Sequence, residues 1–391
     1  SWINYGKLRG SWGSNGNRDI GRYASLANLQ TGKYLQVRPD GTVYQVSQLY
    51  VNNMANENLQ WERTTAYNLG MDFTLFNNFL DGTIETYSTS TTDLLVERSL
   101  PDILGFDWVW DNLGEVQNKG FEVTLNTMNM SRENFTWRST VNFQMNRNKI
   151  VSLYGDMIDV TDDAGNVIGE REVDDFENQW FIDHAIDEIW DIRTNGIWQL
   201  DEADLAAQYG VHPGDFKAND VNGDGLYTRE DREFLGFTEP RFRWSLRNEF
   251  KIFKNFDASF MVYSLWGHMN PYNQAKNRDG FLDRTNSHLF PYWTPENPQN
   301  EYARLYSSNG SATFNIYRKR SFIRLDNIAL AYSVPSEISQ RVNIENVKVY
   351  FNVRNVAVFS PDWTYWDPEW DSNVGPGPTP RTFSLGLNIT L

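Results

Sequence analysis

The sequence predicts an all-β fold, a wall of about ten antiparallel strands crossing a membrane, with turns at one rim and long loops at the other. Three observations predict it. Apolar and polar side chains alternate with a period of two over repeated runs. Short and long connections take turns down the chain. Aromatics make up 15 % of the 391 residues, a high share that suits an interfacial girdle and packed loops.

The elements follow in order. A first strand is expected near Tyr5–Gly13. The next places Tyr67, Leu69, Met71, Phe73 and Leu75 on one face, against Asn68, Gly70, Asp72 and Thr74. The segment from Gly82 to Thr92 alternates poorly. Phe121, Val123 and Leu125 oppose Glu122, Thr124 and Asn126. Trp137, Val141, Phe143 and Met145 oppose Arg138, Thr140, Asn142, Gln144 and Asn146. Phe242, Trp244, Leu246, Phe250 and Ile252 oppose Arg243, Ser245, Arg247, Glu249 and Lys251. From Phe322 to Val334 the phase slips near Asn327, as at a bulge. Phe383, Leu385, Leu387, Ile389 and Leu391 form the last apolar face. Helical spacing would mix both residue types on each face.

Short connections follow Leu75, Asn129 and Phe253, and a moderate one spans Pro335–Asn346. Long ones are expected over about 14–65, 93–117, 148–240, 267–321 and 359–382. Bacterial barrels keep their short turns at the periplasm and their long loops outside. Strand parity closes only if 148–240 is one external excursion, so the strand-like piece near Ile189–Trp198 belongs to a loop or lies above the membrane. An open sheet of ten strands leaves its edges unsatisfied in lipid, so the chain is expected to be part of a larger closed barrel. The opening Ser1-Trp2-Ile3, without an initiator Met, fits a fragment whose upstream part is missing. A soluble β-sandwich is the alternative, since it alternates too.

A net charge of −16 and the lack of any basic run exclude a nucleic-acid partner. With no Cys there is no disulfide frame, thiol catalysis or Cys-based zinc site. His184, His212, His268 and His288 have no metal-protease spacing, and there is no nucleophile elbow or phosphate loop. Carboxylate pairs such as Glu202 and Asp204 arise by chance among 51 acidic residues. No enzyme is expected.

Residues 220–231 read Asp-Val-Asn-Gly-Asp-Gly-Leu-Tyr-Thr-Arg-Glu-Asp. Oxygen side chains stand at positions 1, 3 and 5 (Asp220, Asn222, Asp224), Gly at 6, a backbone carbonyl at 7 (Leu226) and a carboxylate at 12 (Asp231). That is the calcium-loop pattern, because hard oxygens crowded together are relieved by a divalent cation. The flanks do not form two clear helices and the twelfth residue is Asp rather than Glu, so a structural Ca2+ is expected in an external loop. Aromatic clusters lie at Phe106, Trp108 and Trp110, at Phe290, Tyr292 and Trp293, and at Trp363, Tyr365, Trp366 and Trp370. Most are expected to pack loops or form a girdle. Trp108 and Trp110 are the candidates for substrate contact. Arg138, Asn142, Gln144, Arg243, Arg247, Glu249 and Asp72 are expected to line the lumen.

Several segments resemble the SusC/RagA family of TonB-dependent outer-membrane transporters. Lys7-Leu8-Arg9-Gly10-Ser11-Trp12-Gly13 followed by Gly16-Asn17 is similar to the family's LKLRASYG–TGN strand. Trp61-Glu62-Arg63-Thr64-Thr65 with Asn68-Leu69-Gly70-Met71-Asp72, then Thr92-Asp93-Leu94-Leu95, resemble WEKT–NLGLD and TxDLL. Residues 112–122 resemble NxGEVxNKGFE, and Ser321-Phe322-Ile323-Arg324-Leu325-Asp326-Asn327 resembles SFLRLKN. Tyr350 and Asn355 match RVYxxxxN, Asp367-Pro368-Glu369 matches DPE, and residues 380–388 match the closing PRTYTLGLN. The motifs run in family order over nearly the whole chain. One departure is the end, where Leu391 replaces the family's usual aromatic.

The resemblance implies that residues 1–391 are the C-terminal part of a 22-stranded transmembrane barrel, the plug domain and N-terminal strands lying outside this chain. It implies import of oligosaccharides or peptides across the bacterial outer membrane, energised by TonB through the missing N-terminal part, with a SusD-like surface lipoprotein as lid. Two other readings stay open: a barrel that scaffolds a surface complex without transporting, and a secreted calcium-stabilised glycan-binding β-protein.

Overall fold

The computed structural model describes residues 2–17, 23–106, 108–162, 164–276, 291–310, 313–369 and 379–390. Its main feature is one antiparallel sheet of ten strands, each paired with its neighbours in chain order. They are β1 (Ile3–Asn17), β2 (Glu62–Leu75), β3 (Leu80–Ser99), β4 (Trp108–Arg132), β5 (Phe135–Ser152), β6 (Phe242–Ile252), β7 (Phe256–Trp266), β8 (Phe322–Ser333), β9 (Asn346–Phe359) and β10 (Thr382–Thr390). A meander of this kind needs only a turn or a loop between partners, which is what the alternating connections supply.

The register carries the alternation across the wall. One row runs Leu69, Thr86, Phe121, Met145. The adjacent row runs Arg9, Gly70, Glu85, Glu122, Gln144, Arg243. Apolar and polar faces therefore stay separate from strand to strand. No second large sheet covers the apolar face among the described residues; the other sheets are two-stranded. Leu385 is 77 % exposed and Leu387 is exposed beside it. That removes the β-sandwich alternative, which would bury this face in a shared core. Phe73 is covered within the wall itself: its ring lies over Gly82, where a Cβ would stand 3.1 Å from Phe73 Cζ.

The tight turns are where expected. Phe76, Asn77 and Asn78 after β2, and Phe253 and Lys254 after β6, are left-handed, a conformation that reverses the chain in few residues. The bulge expected near Asn327 is present: pairing of β8 with β9 shifts between Leu325 and Asn327, and pairing with β7 shifts between Met261 and Val262. The Ile189–Trp198 piece is indeed a loop element, with short strands at Glu188–Ile192 and Thr194–Ile197 paired to Arg232–Phe237 and Phe216–Ala218.

One connection differs from expectation. The long loop read over 93–117 is instead a continued ladder, from Leu94↔Leu113 to Ser99↔Trp108. Asp93 turns left-handed at the break, and beyond it Leu94 and Val96 pack against a local core of Leu113, Val116, Ile150 and Leu153. With apolar residues on both faces, this extension loses the one-sided alternation that marks the wall. Strand ends elsewhere also run a few residues past their expected limits, as at Asn17, Arg132 and Ser152.

Candidate functional site

The polar face of the wall is built by parity alone. Arg138 stands opposite Glu249, Asn142 opposite Ser245 and Gln144 opposite Arg243, and Arg247 and Asp72 share the same face. Charges on it are cross-linked. Arg9 donates to Asp72 at 2.9 and 2.8 Å and to Glu85 at 2.5 Å, tying β1, β2 and β3. The expected lumen residues are therefore brought together on one charged, hydrogen-bonding surface.

At the rim opposite the tight turns, the described parts of three excursions (153–241, 267–321 and 360–381) fold into one head. Its core joins Ile197, Phe216 and Tyr227 from the first, Tyr272, Tyr302 and Phe314 from the second and Trp363 from the third. Polar bonds stitch the same seams. Asp215, fully buried, accepts from Arg304 Nε at 2.8 Å, from the Ser308 amide at 3.0 Å and from the His212 amide at 2.9 Å. Trp293 Nε1 donates to Gln199 at 2.9 Å, and the Tyr272 hydroxyl to the Thr364 carbonyl at 2.6 Å. Buried charges hold only when paired and hydrogen-bonded, and Asp215 meets both conditions.

The head explains most of the aromatic clusters. Trp293 and Trp363 are buried in its core and Trp366 packs against it. These serve loop packing, as expected. Phe290, Trp370, His288 and Leu391 lie outside the described residues. Trp108 and Trp110 do not sit in a loop. They lie two apart on the extension of β4, on one side of the strand, ring centroids 5.7 Å apart and edge to face. Both remain half-buried.

Residues 220–231 fold as a tight acidic loop. Asp220 accepts from the amides of Gly223 at 2.6 Å and Gly225 at 2.9 Å and from the Tyr209 hydroxyl at 3.0 Å. Desolvation works to raise the Asp220 carboxyl, but these donors outweigh it and hold the group below the usual carboxylate range. Gly223 and Gly225 are left-handed, as the winding requires. Asp231, fully buried, closes the loop by accepting from Val221 N at 2.8 Å and Thr228 N at 2.7 Å. The donor set is all oxygen and suits a hard cation. Among the described residues, though, no three His, Cys, Asp or Glu side chains gather closely enough to hold a metal ion. Asn222 Nδ2 instead lies 3.2 Å from Asp224 and 3.1 Å from Glu230. Tyr227, which sequence reasoning passed over, anchors the loop: it is a core residue, and its ring stacks on Tyr209 at 4.6 Å.

Sequence reasoning also missed a clamp where wall meets head. Arg324 on β8 is 1 % exposed. Its Nη2 lies 2.5 Å from Asp367, its Nη1 donates to Asn355, and its Nε lies 2.6 Å from Glu369 at an angle too bent for a hydrogen bond. Glu369 also accepts from the Tyr263 hydroxyl at 2.5 Å. The last connection is thus pinned by its Asp-Pro-Glu to two wall strands, β7 and β8, and Arg324 carries the link on to Asn355 of β9. Arg324 and the two acids were visible as motifs, but nothing in their spacing joins residues more than forty apart.

Comparison with known proteins fits this architecture. Residues 1–171 match the family described as TonB dependent receptor-like, beta-barrel. TonB-dependent receptor P26 of Formosa agariphila is 30 % identical over 98 % of the chain, covering 40 % of that protein. TonB-dependent receptor SusC of Bacteroides thetaiotaomicron is 28 % identical over 98 % of the chain and 37 % of its own length. The chain thus spans about two fifths of the relatives it matches. A solved structure titled as the RagAB peptide transporter superposes with a TM-score of 0.73 at 20 % identity, covering 99 % of the chain and 41 % of that structure's, a likeness of fold.

Proposed function

We propose that the chain, outer-membrane β-barrel wall of the TonB-dependent receptor kind and similar to SusC, forms part of an importer for oligosaccharides or peptides. The observation that carries this reading is the pairing of a continuous charged inner face with a packed external head on one wall. The remaining strands and a plug would close the barrel and fill it. A SusD-like lipoprotein would seat on the head, and TonB would act through the part outside this chain. The relatives' names, SusC and RagAB, support this direction.

In this reading the Arg9–Asp72–Glu85 face and the row through Gln144 and Arg243 form the solvated lumen wall. Trp108 and Trp110 offer an edge-to-face aromatic pair to a sugar ring or an apolar side chain. Calcium would bind the 220–231 loop through Asp220, Asn222, Asp224, the Leu226 carbonyl and Asp231, drawing in Asn222 and Asp224, whose side chains are exposed to solvent. Its role would be to stiffen the head.

Uptake in the native host, measured with the TonB link intact and deleted, tests the proposal. Loss of uptake is expected on deletion; uptake that persists unchanged overturns import and leaves a scaffold. For the cation, EGTA is expected to lower the thermal midpoint of the head, and Asp224→Ala to remove that response to EGTA. A midpoint indifferent to EGTA sinks the calcium assignment.

A further inference from the structure

On the outward face of β4 and β5 the register stacks three apolar rows, Leu125/Val141, Val123/Phe143 and Phe121/Met145. The next two rows toward the head are Lys119/Arg147 and Gln117/Lys149. The change from hydrocarbon to cation takes one step of the pleat. The same row continues through Ser88 to Tyr67 and Trp12, both exposed. Exposed Trp and Tyr mark the headgroup level of a membrane wall, and the long connections at this rim make it the outer leaflet.

Of these cations, Lys119 and Arg147 form no salt bridge among the described residues. Lys119 is exposed. Among the described residues Arg147 hydrogen-bonds backbone carbonyls alone, those of Asn146 at 2.7 Å and Arg241 at 2.5 Å, and it lies 5.9 Å over the Phe242 ring. Beside them is a cavity of ≈ 400 Å³ lined by Lys119, Arg147, Lys149 and Arg241 against the carboxylates Asp183 and Glu188. Lys149 already neutralises Asp183 at 2.6 Å. Four cations face these two acids and Asp187, whose charge acts on Arg147 and Arg241, and the balance still leaves a positive hollow on a chain whose net charge is −16.

We propose that this hollow holds the phosphorylated headgroup of an outer-leaflet lipid. Lys119 and Arg147 would contact the phosphate, and the acyl chains would lie along Phe121, Phe143 and Met145. Guanidinium suits phosphate because its planar fork can donate two parallel bonds. The depth suits a lipid: a soluble anion would not need apolar rows directly beneath the charge. The proposal rests on the wall's place in the outer membrane and not on transport.

The closed full-length barrel, delipidated in neutral detergent, is examined by native mass spectrometry. The probes are phosphorylated lipid A, the same lipid with its phosphates removed, and inorganic phosphate. The phosphorylated lipid is expected to be retained about tenfold better than the dephosphorylated one. The double variant Lys119→Gln/Arg147→Gln should lose that preference, and Lys254→Gln in a turn at the opposite rim should keep it. Equal retention of the two lipids by the unsubstituted barrel overturns the proposal, whether or not the double variant folds. So does a double variant that keeps the preference. Displacement of the lipid by millimolar inorganic phosphate would reassign the hollow to a free anion.

Discussion

Leu385 in the wall and Trp198 in the head are both large apolar side chains, yet one is 77 % exposed and the other 1 %. The wall faces hydrocarbon, so its apolar side chains have their solvent on the outside and its strands are held by ladder hydrogen bonds between sequence neighbours. The head faces water and must hide its apolar surface in a core assembled from three separate connections. The difference teaches that the same residue type is stabilising for opposite reasons at the two levels of one molecule. Substitutions should therefore rank differently in each.

Truncation should hurt the head most. Trp198 packs against Ala206, Val211 and Tyr209. Trp198→Ala is expected to cost the head about 4 kcal/mol, read as a fall in the urea midpoint of its tryptophan fluorescence. A cost under about 1 kcal/mol would break the comparison. Next comes the seam. Arg324→Ala strands Asp367 beside Glu369 without a cation, and about 3 kcal/mol is expected. Limited proteolysis should then cut within 360–381 first; an unchanged cleavage pattern would mean that the last connection is held by its aromatics alone.

Charge insertion should hurt the wall. Val123→Lys, in the middle apolar row, is expected to cost about 2–3 kcal/mol in refolding into bilayers. The same change at Val221, exposed in the acidic loop, should be nearly silent. Comparable in size, and pH-dependent, is His268, buried just beyond β7. Its own burial and then Arg320 and Arg243 lower its pKa to about 4. The unfolded chain takes that proton near pH 6.5. Between those values the unfolded state binds more protons, so stability falls as pH drops from about 6.5 to about 4 and levels off below. His268→Gln should flatten that slope in thermal melts; an identical slope would assign the acid sensitivity elsewhere. Smallest is Phe143→Ala on the lipid face, expected at about 1 kcal/mol or less because lipid can follow the missing ring. A loss as large as that of Trp198→Ala would mean the wall is packed against protein.

The ranking also separates what could be read in advance from what could not. Strands β2, β5, β6 and β10 stood out because one face meets lipid and the other water, and this one-sidedness is written at every second residue. The bulge at Asn327 showed as a slip of the same phase. The extension carrying Trp108 and Trp110 was mistaken for loop because packing on both faces erases that signal. The acidic loop was legible because its ligand-type residues are adjacent in sequence, while Tyr227's part in it was not, since its partner Phe314 comes from another connection.

By itself the sequence determined the wall: the fold class, the strand count, the faces and the rim to which the loops belong. Each follows from contacts between strands consecutive in the chain, and a period of two carries them. Only the tertiary structure decided the head. Asp215 with Arg304, and Arg324 with Asp367 and Glu369, are pairings over long separations. Pairings of that kind depend on how whole connections fold back on one another, and no local pattern of side chains encodes them.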